Sequence, residues 1–333
     1  TGGYGDRVPQ SVAGKAVAVG TMFLGVAMMG VITGRIASFL MERQMKEEKG
    51  LLSFRSMKGH FIICGWKQEM NNVLQAILTS NPGLTPSGVV LINKAPEEEV
   101  NAVRSDPRFK EIKTVYGDFI EERDLMRAGI RKAARVLVLA DYYTPGNLQQ
   151  LDSKTVMAVM TIKNLNRRAY VCAELLDTTF AKYLQLSHCE EILFSRDFSR
   201  AMLASASSGT GLTHVIRDLL VKEEGGWIET RKVPESFVGK TFHELREHYY
   251  GTIGAQLIGL LENTGNINDR KREALIEAQK NPDISKLVPE LKSIKTLAAN
   301  KPVINPARDY IVDRYARAIV VRGPDTTSVG AVS

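Results

Sequence analysis

The residues with chemistry to offer sit just after short apolar runs. Gly65-Trp66-Lys67 follows Phe61–Cys64, Asn93 follows Val89–Ile92, Asp118 follows Lys113–Tyr116, Asp141 follows Val136–Ala140, and Glu174 follows Tyr170–Ala173. Runs of this kind, separated by helix-like stretches, read as buried parallel strands. Ligands of such sheets bind outside the carboxyl ends of the strands, which makes these seven residues candidates for lining a ligand crevice. The dinucleotide fingerprint is poor. Only the first of its three glycines is present, as Gly65. Lys67 stands where the second would let a pyrophosphate approach the backbone, and Asn93 stands where an acid would hold the ribose hydroxyls. Tight NAD binding is not expected; a looser adenine nucleotide is compatible.

Other reaction chemistry finds little support. Cys64, Cys172 and Cys189 form no CxxC pair, and the histidines (60, 188, 214, 243 and 248) show no HxxxH or HExxH spacing. That argues against a disulfide framework and against a zinc centre. There is no Walker loop and no GxSxG, so nothing predicts an enzyme. The acidic pairs Glu190-Glu191 and Glu223-Glu224 read as solvated surface. The chain has 333 residues, a net charge of +7 and a mean hydropathy of −0.12. The mild excess of positive charge argues against a polybasic nucleic-acid arm, and the 44% hydrophobic content argues against general disorder.

The elements that must position the candidates follow from the pattern. Strands are predicted at 61–64, 89–92, 113–116, 136–140, 170–173 and 191–194. Helices are predicted around 71–78, 123–128, 152–164 and 180–186. The fold class is therefore a Rossmann-like, doubly wound parallel α/β sheet, placed after a membrane helix and before a small α+β lobe. The membrane helix comes from Ala16–Gly34, nineteen residues without a charge, bracketed by Lys15 and Arg35. About 20 apolar residues cross a bilayer core. Arg35, Arg43, Lys46 and Lys49 put the downstream side in the cytoplasm. The opening at Thr1 rather than Met is expected of a fragment that lacks its N-terminal part.

Before that helix stands Thr1-Gly2-Gly3-Tyr4-Gly5-Asp6. The hexapeptide resembles the selectivity filter of potassium channels, usually Thr-Val-Gly-Tyr-Gly-Asp. In that family four copies of the loop aim backbone carbonyls at K+, in conformations that Gly adopts readily. The sequence departs from the pattern at Gly2, which puts selectivity or filter stability in question. Gly25 matches the hinge glycine of the family's inner helix; it reads equally as a close-packing glycine.

The segments 59–66, 116–118 (Tyr-Gly-Asp), 128–130 (Ala-Gly-Ile) and 136–141 resemble the RCK domain, which regulates K+ conductance. The Cys-Gly-Trp at 64–66 is similar to the channel branch rather than to the NAD-binding uptake branch. Segments 237–245, 255–260, 305–306 and 318–321 resemble its C-terminal lobe. The resemblance implies a filter remnant at 1–9, an inner helix at 10–45, a linker at 46–58 and an RCK N-terminal lobe at 59–196. A dimerising helical crossover at 197–224 follows, then a C-terminal lobe at 225–322 with an insertion near 263–300, and a tail at 323–333.

It further implies a ligand-gated K+ channel subunit of the cell (inner) membrane. Four chains would surround the pore, paired RCK domains would form a gating ring, and soluble RCK copies could start at Met57. Calcium-gated members bind Ca2+ through carboxylates near the strand ends. Glu174 matches one such position, but Ala140 and Leu176 stand at its partner positions, with Asp141 and Asp177 adjacent. The ligand is thus Ca2+ or an adenine nucleotide. A non-conducting regulatory subunit and a membrane-anchored NAD(P)-dependent oxidoreductase remain as alternatives.

Overall fold

The structure is a computed structural model, and it describes residues 9–220, 226–265, 267–279 and 300–323. The filter candidates Thr1 to Asp6 lie outside the described residues, as do Glu223-Glu224 and most of 263–300. Helix α1, Val12–Glu48, starts at Ser11, whose hydroxyl accepts the Gly14 N–H. Its 37 residues span about 55 Å, well beyond a bilayer core of about 30 Å. Its apolar stretch is long enough to cross a membrane and is not buried by the rest of the chain. Phe23 is 73% exposed, which suits lipid rather than a protein core.

Six parallel strands follow: β1 (Phe61–Cys64), β2 (Val89–Asn93), β3 (Lys113–Tyr116), β4 (Arg135–Val138), β5 (Tyr170–Leu175) and β6 (Glu191–Phe194), in the order β3-β2-β1-β4-β5-β6. The helices between them are α2 (Met70–Ser80), α3 (Glu97–Ser105), α4 (Glu122–Arg127), α5 (Leu148–Leu165) and α6 (Ala181–Leu186). Strand residues alternate between two cores. Ile62, Val90 and Val136 join Val156 and Ile162 of α5, whereas Ile63, Leu91 and Val89 join Leu74 of α2 and Val100 of α3. Both faces are covered, which is why the strands read as unbroken apolar runs.

Helices α7 (Ser195–Ser207) and α8 (Leu212–Leu220) are separated by Gly209 and Gly211, both at positive φ. Their apolar residues stay open, with Leu203 69% exposed. The last lobe is an antiparallel sheet of β7 (Trp227–Lys232), β8 (Gln256–Glu262), β9 (Lys301–Ile304) and β10 (Arg317–Arg322), ordered β7-β10-β8-β9. Helix α9 (Phe242–Ile253) packs on it through Phe242 and Leu245, and α10 (Ile267–Gln279) lies in the β8–β9 connection. A reciprocal cap between Thr241 and Glu244 starts α9.

His60 is buried just before β1, its Nε2 2.8 Å from the Ala128 carbonyl, and its Nδ1 has no hydrogen-bond partner. Burial pushes the imidazole below its ordinary value of 6.5. The unfolded chain then binds the proton more tightly, so stability falls as pH drops below 6.5 and levels off beneath the folded value. The urea midpoint of this lobe, read from Trp66 fluorescence, should fall between about pH 7 and about pH 5, and His60→Gln should flatten that slope. An unchanged slope in the variant would assign the pH effect to other groups.

Candidate functional site

The strand order brings the sequence candidates to one edge of the sheet. Gly65 has φ +92°, and a Cβ there would meet the Leu139 carbonyl oxygen at 3.1 Å. Its N–H donates to the Ile92 carbonyl, while the Trp66 N–H donates to Asp141 Oδ1 at 2.9 Å. The first fingerprint glycine therefore pulls the β1–α2 loop down onto the end of β4. Trp66 is only 1% exposed, and its indole N–H donates to Glu99 Oε2 at 2.8 Å.

The charged candidates form two connected ion-pair groups. Lys94 Nζ lies 2.7 Å from Asp118 Oδ2. Lys154, from α5, lies 3.5 Å from Asp118 and 3.6 Å from Asp141, donates to the Thr144 hydroxyl at 2.7 Å and sits 4.4 Å from the Phe119 ring centroid. Burial alone would raise the Asp118 carboxyl; the Lys94 hydrogen bond, the Ile120 N–H and the Lys154 charge outweigh it and hold the carboxyl below its usual value. Beside them Lys67 pairs with Glu174 Oε1 at 2.9 Å, and Glu174 Oε2 accepts the Ala140 N–H.

This bears on cation binding. Lys154 places a tethered positive charge where a divalent ion bridging Asp118 and Asp141 would sit, and both oxygens of Glu174 are already engaged. Among the described residues no group of three or more His, Cys, Asp or Glu side chains is arranged to hold a metal. A cation at Glu174 would have to displace Lys67. An anionic ligand has an easier entry, since Lys67 and Lys154 can exchange a carboxylate for a phosphate. Sequence reasoning missed Lys154; a lone lysine inside a predicted helix carries no local signal.

The acidic pair read as surface needs correction. Glu190 is buried, with both oxygens 2.6 Å from Lys163 and one accepting the Val171 N–H; only Glu191 is exposed.

The linker is fastened to the same edge of the sheet. Gly50 is buried at φ +61°, and its carbonyl accepts the Tyr116 N–H at 2.9 Å and Arg127 Nη2 at 2.6 Å. The Phe54 N–H donates to the Arg127 carbonyl, and Phe54 and Met57 pack on the core beneath β1 and β4. Gly25, the hinge candidate, lies within α1. A cavity of about 490 Å³ opens where the linker crosses the ends of β2 and β3.

Residues 56–173 match the calcium-activated potassium channel slowpoke-like RCK domain, and residues 1–42 match the ion channel family. Residues 56–173 are thus similar to an RCK domain, carried behind a helix similar to those of ion channels. The chain is 29% identical over 227 residues to the calcium-gated potassium channel TvoK of Thermoplasma volcanium, covering 67% of this chain and 61% of that protein. It is 26% identical over 204 residues to the putative potassium channel protein YugO of Bacillus subtilis, covering 61% of this chain and 58% of that protein. The chain thus spans about three fifths of these relatives. The human SLO3 gating ring superposes with a TM-score of 0.53 at 14% identity, covering 81% of this chain and 48% of that one. That likeness shows the fold. The ion-channel match and the apolar α1 place the protein at a membrane, with its RCK domain in the cytoplasm.

Proposed function

We propose that the chain is the inner-helix and RCK portion of a K+ channel subunit in the cell membrane, gated by a ligand at the strand ends. The observation that carries this is the Gly50 docking: a helix whose start matches the ion-channel family runs into a linker whose Gly50 carbonyl is held by Tyr116 of the edge strand and by Arg127 of α4. Thr1 to Asp6 would supply the filter and Gly25 the hinge. The open apolar residues of α7 and α8 support pairing of RCK domains, and four chains around one pore would make the gating ring. Copies starting at Met57 would complete that ring.

The Lys67 and Lys154 network favours an adenine nucleotide at Gly65, Trp66, Asn93, Asp118 and Asp141. Ca2+ at Glu174 is the second candidate, supported by the calcium-gated relative. The test is single-channel recording of the full-length gene product in planar bilayers under a K+/Na+ gradient. ADP and Ca2+ are added in turn to the cytoplasmic face. A K+-selective current whose open probability changes with one of them is expected. Inserted, tetrameric protein that stays silent would overturn the reading.

A further inference from the structure

We propose that the connection between β8 and β9 is a latch: it fastens the C-terminal lobe to the first sheet at Asn300 and so sets the angle between the two lobes. The insertion near 263–300 has no task in the channel reading. The lobes need such a fastening. The chain passes from one to the other through α7 and α8, and that path turns at Gly209 and Gly211, at φ +68° and +72°. A Cβ at either glycine would meet nothing within 4 Å, so no packing stiffens the turn. A lobe held by that tether alone is free to swing.

Asn300 supplies a second attachment. Its Nδ2 donates to the Tyr170 hydroxyl at 2.6 Å and lies 3.4 Å from the Glu190 carbonyl oxygen. Tyr170 opens β5 and donates in turn to Glu191 Oε2 at 3.1 Å. A relay of donors that ends on a carboxylate strengthens each bond along it. Burial, and then the Glu191 charge, push the phenol above its ordinary value, so it keeps its proton for that carboxylate. These groups lie at the start of β5 and β6, at the opposite edge of the sheet from Gly65 and Asp141.

The latch is braced from behind. Asn263 and Asn300 stand at the two ends of the connection with left-handed backbones, φ +53° and +50°, and the Asn300 N–H donates to the Asn263 carbonyl at 3.4 Å. Asparagine enters that region more readily than most side chains. Arg270 of α10 sits 3.7 Å from the Tyr315 ring centroid and 2.6 Å from Glu273, while the Thr264 N–H and hydroxyl both donate to the Tyr315 carbonyl. The connection therefore moves with the C-terminal lobe, and Asn300 reaches from it to the first. A latched lobe leaves α7 and α8 in one arrangement; an unlatched lobe lets the pair open at their glycines. The consequence for pairing of RCK domains rests on the channel reading above; the latch itself does not.

The test places spin labels at Lys182→Cys on α6 and Glu247→Cys on α9, both exposed, in the full chain with Cys172→Ser. The labelled chain is held in nanodiscs and diluted with excess unlabelled chain, so that distances within one chain are read. Double electron–electron resonance should give one narrow distance. Asn300→Gly keeps the left-handed backbone and deletes the amide; it should broaden the distribution about twofold or more. Tyr170→Phe, which removes the hydroxyl and leaves the ring, should do the same. A control pair within the first lobe, Glu98→Cys with Lys182→Cys, should keep its width in both variants. A broad distribution in the parent chain, or an unchanged width in either variant, would overturn the latch. Broadening of the control pair would mean that the first lobe itself had loosened, and would overturn the assignment to Asn300. No current is measured, so a silent bilayer leaves this result standing.

Discussion

Lys163→Ala should lower the stability of the RCK N-terminal lobe by about 3–5 kcal/mol at neutral pH, the usual cost of breaking a buried pair from one side. The Glu190 carboxylate, which also accepts the Val171 N–H, would be left without its cation. Burial already pushes this carboxyl above its ordinary value despite Lys163, and removing the lysine would push it further. A raised carboxyl makes the folded state bind protons more readily than the unfolded one. Stability is therefore greatest below the unfolded value of about 4.5 and declines as pH rises toward the folded value. The penalty of Lys163→Ala should accordingly shrink as the pH is lowered. The double variant Lys163→Met, Glu190→Leu should recover most of the loss. It would remain about 1–3 kcal/mol short, because the Val171 N–H and the Ala169 carbonyl lose their partners. Urea denaturation followed by Trp66 emission, with Trp227 replaced by Phe, measures all three. A single-variant loss under about 1 kcal/mol would mean that water reaches Glu190.

The second large effect is on coupling. At Gly50 a Cβ would lie 2.6 Å from the Tyr116 nitrogen, and the positive φ is itself unfavourable to an L side chain by roughly 1–2 kcal/mol. Gly50→Val should expel the linker and leave the Tyr116 N–H and Arg127 to water. Together these changes favour the undocked linker by about 3 kcal/mol, or roughly 100-fold in population. In single-channel recordings the variant should keep its unitary conductance and lose its response to the ligand. Trypsin should cut faster at Arg55 and Lys58. Faster cleavage with an unaltered ligand response would show that docking at Gly50 is not the coupling step.

What could be read from the residues, and what could not, divides by range. All six strands of the first sheet were legible, most plainly β1 and β2, because a strand covered on both faces announces itself as a local apolar run such as Phe61–Cys64, whereas β6 at the edge stands partly open. Helix α3 was not, because Glu97-Glu98-Glu99 masks the two buried positions Val100 and Val103. At the site, Gly65, Asp118 and Asp141 were found from their positions after strands. Their cation Lys154 was not, since it acts through neighbours distant in sequence. Glu190 was misread for the same reason: only the fold shows that Lys163 lies across from it. The linker at 46–58 carried no local sign of docking, yet Gly50 is buried against β3, an arrangement encoded in Tyr116 and Arg127 rather than in the linker itself.

The unbroken course of α1 fixes a mechanical ratio. From Arg35, where the uncharged run ends, to Glu48 the helix continues for fourteen residues, an arm of about 21 Å. Its far end is anchored at Gly50, and a continuous helix has no joint in which to absorb displacement. A shift of the docked end by about 2 Å, the scale of a side-chain repacking, therefore tilts the membrane segment by about 5°. The arm converts a small cytoplasmic translation into rotation within the bilayer, and any residue that shortened or kinked it would change the gearing rather than the ligand affinity.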